Sequence, residues 1–516
     1  MTEEKHRMQR RFSPHPLLYE VNARVLLNEL SSSEGKRVTL ASLPDRVIDD
    51  WASYGFDAVW LMGVWTTGAL GRQIARTIPH LRELYKNVLP DFTDKDVLGS
   101  PYAVKSYTIP REYGGKQGLL SLRKKLEKRG MGLVLDFVGN HTARDCAWVS
   151  QHPEYYVHGR DGEDVTNPDY FFRTRTGKGD TVLAYGRDPY FSGWTDTVQL
   201  NYWHPAVRRE QQKILSRIAT LCDGVRCDMA MLLLREVFGR TWGDHLGLGG
   251  VRPEEGEFWK EAMEHVKAKW PHFVFIAEAY WNLEWQLQQL GFDYTYDKVL
   301  YDRLLREGAV SVYDHLKAES AFQQHSMRFI ENHDEPRAAH ALPSEAWHFA
   351  AAMVASTTPG MMLFHDGQLA GRRIKLPLQL RRRPAEPEQP SIKSFYKRLL
   401  SCLKVPAISS GDWHLLTIRP AWNDNHTWTN VIAHCWCGKA GDGRLIVVNY
   451  APQNSQCYVD LHPAVLSSPR VEFRDLMGDA VYVRERSVLS AKGMFYDLPG
   501  YGFHLFEVLP AQKSSY

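Results

Sequence analysis

The chain has 516 residues, with 63 basic and 60 acidic side chains and a hydrophobic fraction of 44%. That length is more than one hydrophobic core can grow to serve, and a net charge of +3 gives no reason to expect nucleic acid or an anionic membrane as a partner. The opening MTEEKHRMQRRFSPHP carries charge without an apolar stretch, so it does not read as a secretory signal, and no run approaches the ~20 apolar residues of a membrane span.

In chain order, short apolar runs alternate with amphipathic stretches. LLYEVNARVLL (17–27) opens the series, and VIDDWASYGF (47–56), with helical spacing, precedes the strand-like DAVWLMGVW (57–65). LLSLRKKLEKRG (119–130) reads as a helix closing on Gly130 and leads into GLVLDFVGNH (132–141). VRREQQKILSRIATLC (207–222) leads likewise into GVRCDMAMLLL (224–234), and EFWKEAMEHVKAKW (257–270) into FVFIAEAYW (273–281). GFDYTYD (291–297), MRFIENHD (327–334) and GMMLFHDGQ (360–368) continue the strands. Near-continuous apolar strands between helices predict a parallel sheet covered on its outer face. Eight of them predict a closed (β/α)8 TIM barrel. Segments 66–105 and 142–203 interrupt the rhythm after the second and third strands, at the ends where a barrel keeps its chemistry. The run RRRP at Arg381–Pro384 reads as a solvated loop. From about residue 405, RLIVVNYAP, QCYVDL, AVYVRE and YGFHLFEVL alternate apolar and polar residues, which predicts an antiparallel β domain. The expected organisation is an extension over 1–16, a barrel over 17–141 and 204–400, an inserted domain over 142–203 and a C-terminal β-sandwich over 401–516.

The seven cysteines are an odd number and several lie in strand-like runs. CWC at Cys435–Cys437 has the wrong spacing for a zinc knuckle. Reduced, buried thiols and a cytoplasmic protein are the expectation, with no metal ligand set. Aromatic residues make up 12%, with 16 Trp, a composition suited to flat sugar faces as well as to large cores.

Four strands end in carboxylates: Asp136, Asp228, Glu278 and Asp334. At equivalent ends of parallel strands they converge on one rim. Such a group suits a metal site or glycosidic bond cleavage, which places an acid and a nucleophile ~5–5.5 Å apart when configuration is retained. The ordered set DFVGNH (136–141), GVRCD (224–228), Glu278 in FIAEAYW and NHD (332–334) resembles the motifs of the α-amylase family of glycoside hydrolases. The resemblance covers roughly residues 17–400.

The resemblance implies a nucleophile in Asp228, kept ionised by Arg226 on the same strand face. It implies an acid/base in Glu278, whose pKa two nearby aspartates would raise by repulsion. Asp334 would stabilise the distorted, oxocarbenium-like sugar, and His141 and His333 would hydrogen-bond its hydroxyls. Asp136 and Asn140 belong to the same motif set, Asn140 in a structural place beside the site. GSPYAVKSY (99–107) resembles the family segment that carries a stacking tyrosine, here Tyr102, and Trp281 would flank the acceptor.

The sequence also departs from the family. Met231 and Leu232 stand where many α-amylases carry Lys and His, Gln199 replaces an acid in TVQLN (197–201), and Gly99 stands where some glucosidases carry Asp. The end of the eighth strand reads HDGQ. No cofactor is expected, and calcium is not predicted. The readings are a retaining hydrolase of short α-glucosides, a transglycosidase using the same intermediate, a non-catalytic carbohydrate-binding or scaffold relative, and a barrel metalloenzyme. The first is preferred, with an oligosaccharide or small glucoside as the partner. The two insertions would wall the cleft into a pocket.

Overall fold

Burial on both faces is common to the eight predicted strands, and it is what closes them into a barrel. The computed structural model describes residues 12–248, 255–439 and 442–511, so most of the expected extension over 1–16 lies outside the described residues. The strands are β1 (Leu17–Asn22), β2 (Ala58–Met62), β3 (Gly132–Val138), β4 (Gly224–Asp228), β5 (Val274–Ala277), β6 (Tyr294–Tyr296), β7 (Ser326–Arg328) and β8 (Met361–His365). Each lies beside its neighbours in sequence, all are parallel, and β8 returns to β1 with Leu18 opposite Leu363. The period of two decides which side chains fill the barrel. Leu18, Trp60, Val134, Ile276 and Leu363 pack together inside it. Their sequence neighbours Tyr19, Val59, Leu133, Phe275 and Phe364 join the core under the helices.

The opening run does not stay a strand. At Asn22 the side chain accepts the backbone N–H groups of Arg24 and Val25 and starts the helix Ala23–Ser33, as an N-cap does. The fourth run also stops early. After Asp228 the backbone turns left-handed at Met229 (φ 43°) and winds into a short turn over Ala230–Leu233.

Both insertions rise from the barrel rim. The first holds α1 (Ala69–Thr77) and α2 (Pro79–Val88), and its ends pair as a ribbon, Thr66–Thr67 with Val104–Ser106. The second holds a hairpin, Phe171–Thr176 with Gly179–Ala184. It returns through Thr197–Gln199, which pairs with His141–Ala143.

The RRRP run is not a solvated loop. Leu98 donates its N–H to the Gln379 carbonyl (2.8 Å) and Arg381 to that of Asp96 (3.0 Å). Arg382 then pairs with Asp91 at 3.0 Å and Asp96 at 3.2 Å. Arg383 pairs with Glu29 at 2.5 Å and Asp366 at 2.6 Å. Charge reads as solvent-facing when its partners lie far away in sequence, and here they lie up to 354 residues away.

Among the described residues, nine strands follow the barrel. They are β9 (Asp412–Leu415), β10 (Ile418–Pro420), β11 (Val431–Cys437), β12 (Gly443–Asn449), β13 (Ser455–Val459), β14 (Arg470–Asp475), β15 (Val481–Glu485), β16 (Met494–Leu498) and β17 (Phe503–Pro510). They form a six-stranded sheet in the order β9-β11-β12-β17-β14-β15 and a three-stranded sheet in the order β10-β13-β16. The pairings are antiparallel throughout. Alternation is lost in β12, which is buried along its whole length. Leu445 and Val447 face the core between the sheets, whereas Ile446 and Val448 face the barrel's helices. The helix α3 (Glu345–Thr357) meets that second face. The Thr357 carbonyl accepts the Trp436 indole N–H at 2.7 Å, and the Tyr450 hydroxyl accepts that of Trp347 at 3.1 Å.

All seven cysteines are free thiols, but Cys146 and Cys437 are only half-buried. Among the described residues no helix is long and apolar enough to cross a membrane.

Candidate active site

Strand periodicity puts Arg226 and Asp228, two residues apart on β4, on the same inward face. Arg226 is level with Asp136 on β3 and Ile276 on β5 and is fully buried. Its Nη1 lies 2.7 Å from Asp228 Oδ1 and its Nη2 lies 2.7 Å from Glu278 Oε2. Asp136 Oδ1 and Asp334 Oδ2 each stand 4.0 Å away. The rings of Trp60, Tyr102 and Tyr296 enclose the guanidinium at 5.3, 5.2 and 5.6 Å, and the Tyr296 hydroxyl accepts its Nε–H at 3.2 Å. One cation therefore sits under all four strand-end carboxylates.

Glu278 is held from two further sides. The Met229 N–H donates to Oε2 at 2.6 Å and the Tyr280 hydroxyl donates to Oε1 at 2.9 Å. A left-handed methionine costs about 1–2 kcal/mol, and here that backbone aims its N–H at the carboxylate. Burial raises the Glu278 pKa to about 7; Arg226 opposes the rise, and Asp228 and Asp334 add to it. Repulsion from two aspartates, the cause expected from the sequence, therefore ranks behind burial.

Asp334 is more open, its side chain 36% exposed. Burial would raise its pKa, but His333, Arg226 and Lys375 outweigh that and hold it well below the usual carboxylate range. His333 Nδ1 lies 2.5 Å from Glu20 Oε1, and its Nε2 lies 2.9 Å from Asp334 Oδ2 and 2.7 Å from the Tyr102 hydroxyl. Burial alone would depress the imidazolium, but the two carboxylates hold its pKa well above the ordinary value.

A cavity of about 800 Å³ opens above these groups, lined by Tyr102, His141, Asp228, Glu278 and Asp334. Arg226 and Asp136 lie beneath its floor. Asp136 accepts the Trp60 indole N–H at 3.1 Å and the Gly63 N–H at 3.4 Å, and burial pushes its pKa to about 7. His333 stands behind Tyr102, both nitrogens facing protein groups. Trp281 is not among the lining residues. It packs its ring on Tyr190 at 5.0 Å, and Tyr280 takes the wall instead. Asn140 is buried beside His141, 3.4 Å from its Nδ1.

Sequence reasoning missed Tyr280, Tyr296, Glu20 and Trp60. Tyr280 was within reach, since it stands two residues past Glu278. Glu20 also left a trace, as the one acid in the apolar run LLYEVN. It also missed the cover: His80 from the first insertion, and Asp188, Phe191 and Trp194 from the second, line the same cavity.

A family model described as the alpha amylase catalytic domain matches residues 53–376. The chain belongs to the α-amylase family. It is 26% identical over 365 residues to the alpha-amylase MalA of Haloarcula japonica, covering 69% of this chain and 44% of that protein. It is 28% identical over 186 residues to the trehalose-6-phosphate hydrolase of Escherichia coli, covering 33% of this chain and 34% of that protein. The chain thus spans less than half the length of these curated relatives. The fold is also that of the maltogenic alpha-amylase AmyB from Thermotoga neapolitana, with a TM-score of 0.68 at 20% identity over 96% of this chain and 99% of that one.

Two departures from the α-amylase family pattern have visible causes. Gly99 adopts φ +82°, and a Cβ there would stand 3.0 Å from the Arg72 backbone nitrogen. An aspartate at this position would be both strained and crowded. Gln199 donates from Nε2 to the Asn140 carbonyl and Oδ1, both at 2.9 Å, and to the Leu200 carbonyl at 3.2 Å. An amide N–H stands where those oxygens would face a cation, so these residues do not fit calcium, which needs 6–8 converging oxygens. Chelation is therefore expected to leave the melting temperature unchanged. A large fall reversed by calcium alone would show that the reading is wrong.

Proposed function

We propose that the chain is a retaining α-glycoside hydrolase acting on short α-glucosides through a covalent β-glycosyl-aspartate. The observation that carries the proposal is the single guanidinium of Arg226 spanning Asp228 and Glu278, with burial pushing Glu278 to a pKa of about 7. A carboxyl that still holds its proton near neutral pH suits the role of the acid. In this reading 17–141 and 204–400 form the catalytic barrel, 142–203 is an inserted domain over its mouth, and 401–516 is the terminal sandwich.

Asp228 attacks the anomeric carbon while Glu278 gives its proton to the departing oxygen. Met229 N–H and the Tyr280 hydroxyl keep Glu278 aimed throughout. Glu278, now a carboxylate, takes a proton from the incoming water, which displaces Asp228 and frees the sugar. Asp334, kept ionised by its neighbours, binds hydroxyls of the distorted ring, with Tyr102 as its platform and His141 as a donor.

Because Glu278 must start protonated, kcat/KM is expected to fall as pH rises through about 7. A profile that stays flat well into the alkaline range would remove Glu278 from the acid role.

A cavity walled by both insertions favours short substrates over polymer interiors. The test is a screen of maltose, maltotriose, sucrose, trehalose, isomaltose and soluble starch with product analysis. Faster internal cleavage of starch than of any short substrate would overturn the pocket reading, and inactivity on all of them would restore the scaffold reading. One observation favours transfer as a second reading. Phe191 is 70% exposed and lines the cavity, which offers an acceptor sugar an apolar face. Products longer than the substrate would decide for it.

A further inference from the structure

The RRRP run leaves one arginine over. Arg382 and Arg383 are tied to acids, but Arg381 turns into a second cavity of about 460 Å³. Arg24, Arg37, Arg72, Arg76 and Lys95 line the same space, and Glu112 is its one carboxylate. Among the described residues, none of these six cations forms an ion pair, and Nε of Arg24, Arg72, Arg76 and Arg381 is buried without any hydrogen-bond partner. Arg24 is only 3% exposed. Its Nη1 donates to the Gly99 carbonyl at 2.6 Å and its Nη2 to Thr67 Oγ1 at 3.1 Å, which fixes the guanidinium and leaves Nε unused.

Like charges gathered this closely repel, and a buried polar group without a partner is costly. Elsewhere the same chain pairs its buried arginines, as at Arg226 and Arg383. The excess here is positive and lines an open-mouthed hollow of a size that holds a small molecule. Guanidinium forks match phosphate oxygens two at a time. A monoanion would leave most of the charge unmet.

We propose that this cavity is a binding site for a small phosphorylated molecule carrying at least two negative charges. It is separate from the sugar cavity but shares a wall with it. On α1, Arg72 and Arg76 line the cationic cavity, whereas Ile74 lines only the sugar cavity. The site stands independently of the proposed hydrolysis.

Isothermal titration of the full chain with pyrophosphate and with glucose 6-phosphate tests it, with glucose in parallel to report binding of bare sugar. Saturable binding of either phosphate, weakening steeply as sodium chloride is added, is the expected result. Tighter pyrophosphate assigns the site to a polyphosphate chain, and tighter glucose 6-phosphate to a phosphorylated sugar. The double variant Arg72→Gln/Arg381→Gln should bind at least tenfold more weakly, with a melting temperature no lower in phosphate-free buffer. Should that variant fail to fold, Arg37→Gln, at the exposed edge, should still weaken binding. Absence of saturable binding by both phosphates, or equal binding by the arginine variants, would overturn the proposal.

Discussion

Asp228→Asn is expected to lower kcat by several orders of magnitude and leave the unfolding transition nearly where it was. The carboxamide keeps the volume of the side chain and an oxygen to accept from Arg226 Nη1, which lies 2.7 Å from Asp228 Oδ1. In the proposed mechanism it loses the charge that forms the glycosyl ester, and covalent catalysis does not survive removal of its nucleophile. Initial rates on the preferred glucoside, beside a calorimetric scan of the same preparation, separate the two effects. Full turnover by the variant would end the assignment.

Arg226→Leu should damage both the fold and the activity. The leucine fills part of the space but leaves Asp136, Asp228 and Glu278 buried without their cation. Removing one partner from a buried ion cluster costs about 3–5 kcal/mol. The sign of the pH dependence follows from the same contacts. Burial already raises Glu278 and Asp136 to about 7, and Arg226 is the main opposing influence on each. Without it both rise further. At acid pH both groups are protonated with or without Arg226, so the deficit is smallest there. It grows as pH rises above about 7, where the native carboxylates ionise and those of the variant resist. Melting temperatures across that range check this, and a pH-independent deficit would show that packing alone holds Arg226 in place.

The barrel was legible because its strands are buried on both faces, which writes them as unbroken apolar runs. The acids Asp136, Asp228, Glu278 and Asp334 were legible because they interrupt those runs at matching ends. Arg381–Pro384 was misread because most of the acids that hold it, Glu29, Asp91 and Asp96, lie hundreds of residues away, and nothing local to RRRP announces them. The rise in Glu278 was expected but its main cause was not: repulsion is implied by neighbours in a motif, whereas burial depends on how far the insertions close over the rim. Trp281 was placed by counting along the chain. The left-handed turn at Trp281 and Asn282 carries the ring toward Tyr190 and gives the wall to Tyr280.

The double-faced strand β12 also bears on the order of events during synthesis. The barrel can close once β8 has been made, since β8 pairs with β1. The outer side of α3 is still bare at that moment. Thr357 waits for Trp436, 79 residues later, and Leu304 waits for Tyr450, 146 residues later. At ~5–20 residues per second that interval lasts seconds, long compared with hydrophobic collapse. The last-made sheet is therefore the cover that an already closed barrel needs, and a chain stopped short of it would carry its own sticky surface.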